Sequence, residues 1–135
     1  MARSFISTGL VYETLAGYSR AVVDGRFVFV SGTVGVDPAT GAFADGPEAQ
    51  TERAIDTIEW ALGQAGAAIG DVVRVRVYIP DRDHVTRISQ VVARRLGPAR
   101  AANTTICAPL AVDEAHVEIE VTALKPSRRR PRPGG

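Results

Sequence analysis

Residues 19–31, SRAVVDGRFVFVS, decide the fold. Asp24-Gly25 is a two-residue turn of the kind that tolerates positive φ, so the apolar runs either side of it predict a β-hairpin. Val28 and Val30 alternate with Phe27 and Phe29, so the second strand is apolar on both faces. Such a strand is central in its sheet or covered on both sides.

Working outward, the segment DPATG at 37–41 is a turn by composition. Asp45 offers an N-cap ahead of Pro47 and Glu48, and a helix is expected from there to about Ala65. Ala54, Ile58, Ala61 and Ala65 form its apolar stripe, flanked by Ile55 and Leu62. Gly66 and Gly70 bracket its end. Val73, Val75, Val77 and Ile79 alternate with Arg74, Arg76 and Tyr78, a strand with one apolar face that Pro80 stops. A second helix is expected from Asp83 to Leu96, burying Val85, Ile88, Val92 and Leu96. Asn103 to Ala108 reads as a short strand. His116 to Leu124 reads as the last, with Val117, Ile119 and Val121 inward and His116, Glu118, Glu120 and Thr122 on the other face.

The order ββαβαββ predicts an α+β fold with two helices on one face of a mixed sheet. Phe27, Phe29, Arg74, Arg76 and Tyr78 then occupy the uncovered face. Self-association would supply its cover, so an oligomer is expected.

The 135 residues suit one domain, taken as 1–124, and 45% hydrophobic content is enough to build its core. The remainder, KPSRRRPRPGG at 125–135, is expected to be a disordered basic tail. Its five cations, taken from sixteen, leave eleven against fifteen acids, a body charge of −4. An acidic body argues against a nucleic-acid-binding surface. One cysteine, Cys107, excludes an internal disulfide. No apolar run suits a signal peptide or a spanning helix, so a cytoplasmic protein without membrane contact is expected. Two histidines, His84 and His116, and a single cysteine make a zinc site a poor reading, and no phosphate-cradling glycine motif is present.

AGYSRAVVDGRFVFVSGTVGVDPATG at 16–41 resembles the opening hairpin of the RidA (YjgF) family, with its Gly-Tyr pair, Ser-Gly pair and Pro-x-Thr-Gly turn. EAQTERAIDTIEWALGQAGAAIGDVVRVRVYIPD at 48–81 is similar to that family's first helix, glycine-rich turn and third strand, and VEIEVTAL at 117–124 to its final strand. The resemblance implies a chorismate-mutase-like fold and a homotrimer with ligand sites in clefts between subunits. It also implies hydrolysis of reactive imines and enamines, such as 2-aminoacrylate, to keto acids and ammonia without metal or cofactor. The family's acid falls on Glu118, the catalytic candidate, and its substrate-binding tyrosine, serine and glycine on Tyr18, Ser31 and Gly32. A positioned carboxyl can activate water and protonate departing ammonia.

One family residue is missing. The arginine that grips the substrate carboxylate stands fifteen residues before that glutamate, where this chain has Asn103. Thr105 occupies the family's cysteine position, and both are candidate substrate contacts. Asparagine lacks arginine's charged bidentate fork, so altered substrate preference is expected. Arg20, two residues from Tyr18, or Arg100 in Pro98-Ala99-Arg100, could supply the cation. The alternative is a non-catalytic small-molecule binding or protective module using the same cleft. An RNA-directed role, attached to some relatives, fits the acidic body poorly.

Overall fold

Alternating patterns become strands, and the computed structural model, which describes residues 2–127, contains six among them. They are β1 (Ser4–Ile6), β2 (Ala21–Asp24), β3 (Phe27–Val34), β4 (Val72–Ile79), β5 (Ala102–Cys107) and β6 (Glu118–Leu124). Three helices accompany them, α1 (Val11–Ala16), α2 (Pro47–Gln64) and α3 (Val85–Leu96). The sheet order is β1-β2-β3-β6-β4-β5. Only β4 and β5 pair in parallel, joined by the crossover helix α3 that a parallel pair requires. The mixed α+β architecture, chorismate-mutase-like, is the expected one.

The core lies between one face of the sheet and α2 with α3. Val28, Val30, Val75, Val77, Ile79, Ile119 and Val121 meet Ala54, Ile55, Ile58, Ala61 and Leu62 of α2 and Ile88, Val91 and Leu96 of α3. Burying each large aliphatic side chain contributes about 1.5–3 kcal/mol, so this layer dominates stability.

Several expectations need correction. Asp45 does not cap α2. Gly46 does, at φ 91°, a value that favours glycine, and no side chain closes the cap. Val73 is not inward. A bulge between Val72 and Arg74 against β6 turns Val72 into the core and leaves Val73 42% exposed. One extra residue reverses the facing of what precedes it. In α3 it is Val91 rather than Val92 that is fully covered. A 3-10 turn at Arg82–His84, capped by Asp81 Oδ1 accepting from the Asp83 N–H at 2.9 Å, precedes α3. The chain also carries β1 and α1, which the pattern did not announce.

Two contacts fix the start of β6. Gly35 packs on α2 so closely that a Cβ there would come within 2.5 Å of Gln50 Cα. The buried Gln50 amide donates to Ala44 O at 3.2 Å and Glu114 O at 3.1 Å, and accepts from the His116 N–H at 2.7 Å. The chain entering β6 is thereby stapled to α2.

The other face of the sheet is open. Phe27 and Phe29 stack at 5.7 Å between centroids, both about half exposed. On the same face Tyr78 Oη donates to Glu120 Oε1 at 2.6 Å, which raises the Tyr78 pKa. Lys125 is tied to the hairpin, its N–H donating to Arg26 O at 2.7 Å. The expected tail from Arg128 onward lies outside the described residues.

Candidate functional site

The register of β3 against β6 breaks where the candidate serine and glycine stand. Val30 faces Val121 and Thr33 faces Ile119, so Ser31 and Gly32 form a bulge. Bulges re-aim side chains and recur beside functional sites. Gly32 leaves room there for the Glu118 side chain. A Cβ on it would overlap a Glu118 carboxylate oxygen and sit 3.0 Å from Glu118 Cδ. The carboxyl therefore lies directly over the Gly32 backbone. Ser31 Oγ donates to Ser19 O at 2.6 Å, which leaves its lone pairs for a ligand donor.

Residues 17–20 are not strand, so strand spacing does not bring Tyr18 and Arg20 together. A buried ion pair does. Glu13 of α1 accepts from Ser7 Oγ at 2.6 Å, Thr8 Oγ1 at 2.5 Å and Arg20 Nε at 3.2 Å. Arg20 Nη1 donates to Gly32 O at 2.7 Å and Thr33 Oγ1 at 3.1 Å, and Nη2 donates to Tyr18 Oη at 3.3 Å. The guanidinium carbon lies 5.4 Å from the centre of the Tyr18 ring. Both members of the ion pair are nearly fully buried. Arg20 thus holds Tyr18 and the bulge in place, and its charge is matched by Glu13.

These groups line an open cavity of about 470 Å³. Tyr18, Arg20, Ser31, Gly32 and Glu118 supply its polar lining, and Leu10, Tyr12, Leu15 and Val112 are among its apolar walls. Burial pushes the Glu118 carboxyl above its ordinary value, the Arg20 charge pulls it back, and the Glu120 charge pushes it further. Among the described residues no group donates a hydrogen bond to that carboxyl. Its oxygens are left free to accept from, or its proton to be given to, a molecule in the cavity. No group of three or more metal-ligating side chains occurs among the described residues.

Asn103 and Thr105 lie elsewhere. They pair with Val75 and Val77, whose side chains are buried under the helices. Glu118 pairs with Tyr78 on the opposite face. The sheet of one protomer therefore separates Asn103 from Glu118. Asn103 and Thr105 line a second cavity of about 280 Å³ with Ser89 and Arg100. Sequence reasoning missed Glu13, Tyr12, Leu15 and Val112. The first is joined to Arg20 seven residues on, but α1 ends at Ala16 between them and residues 17–20 are neither helix nor strand, so no period relates the pair.

A family model described as endoribonuclease L-PSP matches residues 10–125. Rv2704 from Mycobacterium tuberculosis, a crystal structure of the YjgF/YER057c/UK114 family, superposes with a TM-score of 0.83 at 38% identity, over 91% of this chain and 99% of that one. This chain belongs to the RidA (YjgF) family. A RutC family protein of Pyrococcus abyssi is 32% identical over 93% of this chain and 99% of its own length. A bovine family member, named 2-iminobutanoate/2-iminopropanoate deaminase, is 30% identical over 93% of this chain and 92% of its own. No helix among the described residues is long and apolar enough to cross a membrane.

Proposed function

We propose that this chain hydrolyses small reactive imines and enamines to carbonyl compounds and ammonia, in clefts between the subunits of a cytoplasmic homotrimer. The observation that carries this reading is the Glu118 carboxyl, raised by burial, poised over Gly32 in a cavity that Tyr18 and Ser31 also line. The name of the bovine relative supports the chemistry.

The steps follow from those groups. In its protonated form Glu118 gives its proton to the terminal carbon of an enamine, which becomes an iminium. The resulting carboxylate takes a proton from water as the water oxygen bonds to the C=N carbon. That proton then passes to nitrogen; as the C–N bond breaks and ammonia leaves, the carboxylate takes the hydroxyl proton, which completes the carbonyl and restores the protonated Glu118. A carboxyl with a raised pKa suits both roles near neutral pH. Tyr18 Oη accepts from Arg20, so its own proton can be donated to the reacting molecule.

The trimer is supported by what one protomer leaves uncovered. Phe5, Phe27, Phe29 and Ile106 are all about half exposed or more, and register puts Phe5, Phe29 and Ile106 on the open face. Exposed apolar patches of this kind mark interfaces. β5 also presents an unpaired edge. The two cavities, on opposite faces of one sheet, can combine only through a neighbouring subunit. Asn103 in place of the family arginine shifts substrate preference, weakening the grip on a carboxylate at that point by roughly 10–100-fold.

The test is ammonia release from 2-aminoacrylate generated by a pyridoxal-phosphate enzyme. Wild type should outpace spontaneous hydrolysis, Glu118→Gln should lose roughly 10²–10⁴-fold, and the limb of the pH–rate profile that reports Glu118 should stand above 4.5. A Glu118→Gln enzyme as fast as wild type would refute the assignment. A wild type no faster than buffer would leave the binding-module alternative.

A further inference from the structure

The outer side of α2 carries a third cavity. Arg53, Asp56, Thr57 and Trp60 recur at i, i+3, i+4 and i+7, so one side of the helix presents all four. Thr8 and Pro38 complete the lining of a space of about 320 Å³, a size within the range of small-molecule sites. Trp60 is 43% exposed, a large apolar ring outside the core. Its neighbours hold unspent chemistry. Arg53 meets Asp37 only at 3.8 Å, too far for a hydrogen bond. Asp56 accepts from Arg95 through Oδ1 at 2.8 Å, which leaves Oδ2 without a donor among the described residues. Thr57 is 8% exposed, yet its hydroxyl has no partner among the described residues. Thr51 on the same helix returns its hydroxyl to Pro47 O at 2.7 Å, a usual outlet for a helical threonine. A cation, a carboxylate, a hydroxyl and an apolar ring thus line one space. A lone anion would be repelled by Asp56, and a lone cation by Arg53. A zwitterion answers both.

We propose that this cavity binds a free α-amino acid with an apolar side chain. Its carboxylate goes to Arg53 and its ammonium to Asp56 Oδ2, Thr57 Oγ1 adds a third polar contact, and its side chain lies against Trp60 and Pro38. The site also bears on the Glu118 cavity. Thr8 forms part of its wall, and Thr8 Oγ1 donates to Glu13 Oε2 at 2.5 Å. Glu13 holds Arg20, and Arg20 holds Tyr18. An occupant pressing on Thr8 changes the support of Tyr18, which makes the amino acid an effector. That effect rests on the proposed function; the binding does not.

Trp60 is the one tryptophan of the chain, so its fluorescence reports this site directly. The full-length protein is titrated with L-leucine, with 3-methylbutylamine, which lacks the carboxylate, and with 4-methylpentanoate, which lacks the ammonium. L-Leucine should shift the emission saturably, and each analogue should bind roughly 10–100-fold more weakly. Arg53→Gln should weaken L-leucine by a similar factor and leave 3-methylbutylamine unchanged, whereas Asp56→Asn should spare 4-methylpentanoate. In the ammonia assay L-leucine should change the rate of wild type and not that of Arg53→Gln. Emission that L-leucine does not move, or analogues that bind as tightly as L-leucine, would overturn the site. A wild-type rate blind to bound L-leucine would overturn the effector role. If wild type releases ammonia no faster than buffer while Arg53-dependent binding persists, the catalytic reading falls and the amino-acid site stands.

Discussion

Replacing Arg20 by methionine isolates what the buried ion pair contributes. Arg20 and Glu13 are 3% and 4% exposed, and four hydrogen bonds leave the guanidinium. Methionine fills much of the volume but strands the Glu13 charge, a loss of about 3–5 kcal/mol. For a chain of this length that is a fall of roughly 10–20 °C in melting temperature. Adding Glu13→Gln removes the orphaned charge while keeping an acceptor for Ser7 and Thr8. The double variant should therefore return to within about 1–2 kcal/mol of wild type. Urea unfolding at fixed protein concentration gives the cycle. The pH dependence supplies a second check. Burial pushes the Glu13 carboxyl up, but hydrogen bonds from Ser7, Thr8 and Arg20 and the Arg20 charge outweigh it, so its folded value lies below 4.5. Its stabilisation is complete above 4.5 and is lost as pH falls through the lower folded value. The gap between wild type and Arg20→Met should narrow across that acid range. A single-variant loss under about 1 kcal/mol, or strictly additive losses, would refute the reasoning.

Gly32→Ala should displace the Glu118 carboxyl, since the new Cβ overlaps it; steady-state kinetics should show a fall of about tenfold or more with little change in melting temperature. An unchanged rate would mean that the carboxyl works from another position. Phe29→Glu puts a charge into the open apolar face and should convert the proposed trimer to monomer in analytical ultracentrifugation, with the proposed ammonia release lost in parallel. An intact trimer would show that this face is not the interface.

The hairpin at 19–31 and the stripe of α2 were legible because burial there follows strict periods of two and 3.6. β1 was not, because three residues on an edge carry no measurable period and gain their structure only by pairing with β2. α1 is only six residues long and inverts the usual pattern, burying Glu13 and leaving the i, i+4 pair Val11 and Leu15 exposed. Val73 misled because a bulge obeys no alternation. Glu118, Tyr18, Ser31 and Gly32 line one cavity of the protomer. Asn103 lies on the other face of the sheet, because which face a β5 residue takes depends on its pairing with β4, a relation that linear spacing from Glu118 cannot express. Arg20 was picked out for its charge, yet its partner Glu13 is invisible without the fold.

The division of labour around the larger cavity has an evolutionary reading. The carboxyl projects from a strand locked at the centre of the sheet, whereas much of the wall opposite comes from α1 and the segment around Val112. Leu15 in that wall is 80% exposed and supports no core, so exchanging it should shift stability by no more than about 0.5 kcal/mol. Drift at such positions can resize the chamber generation after generation while the Glu118 carboxyl stays where it is.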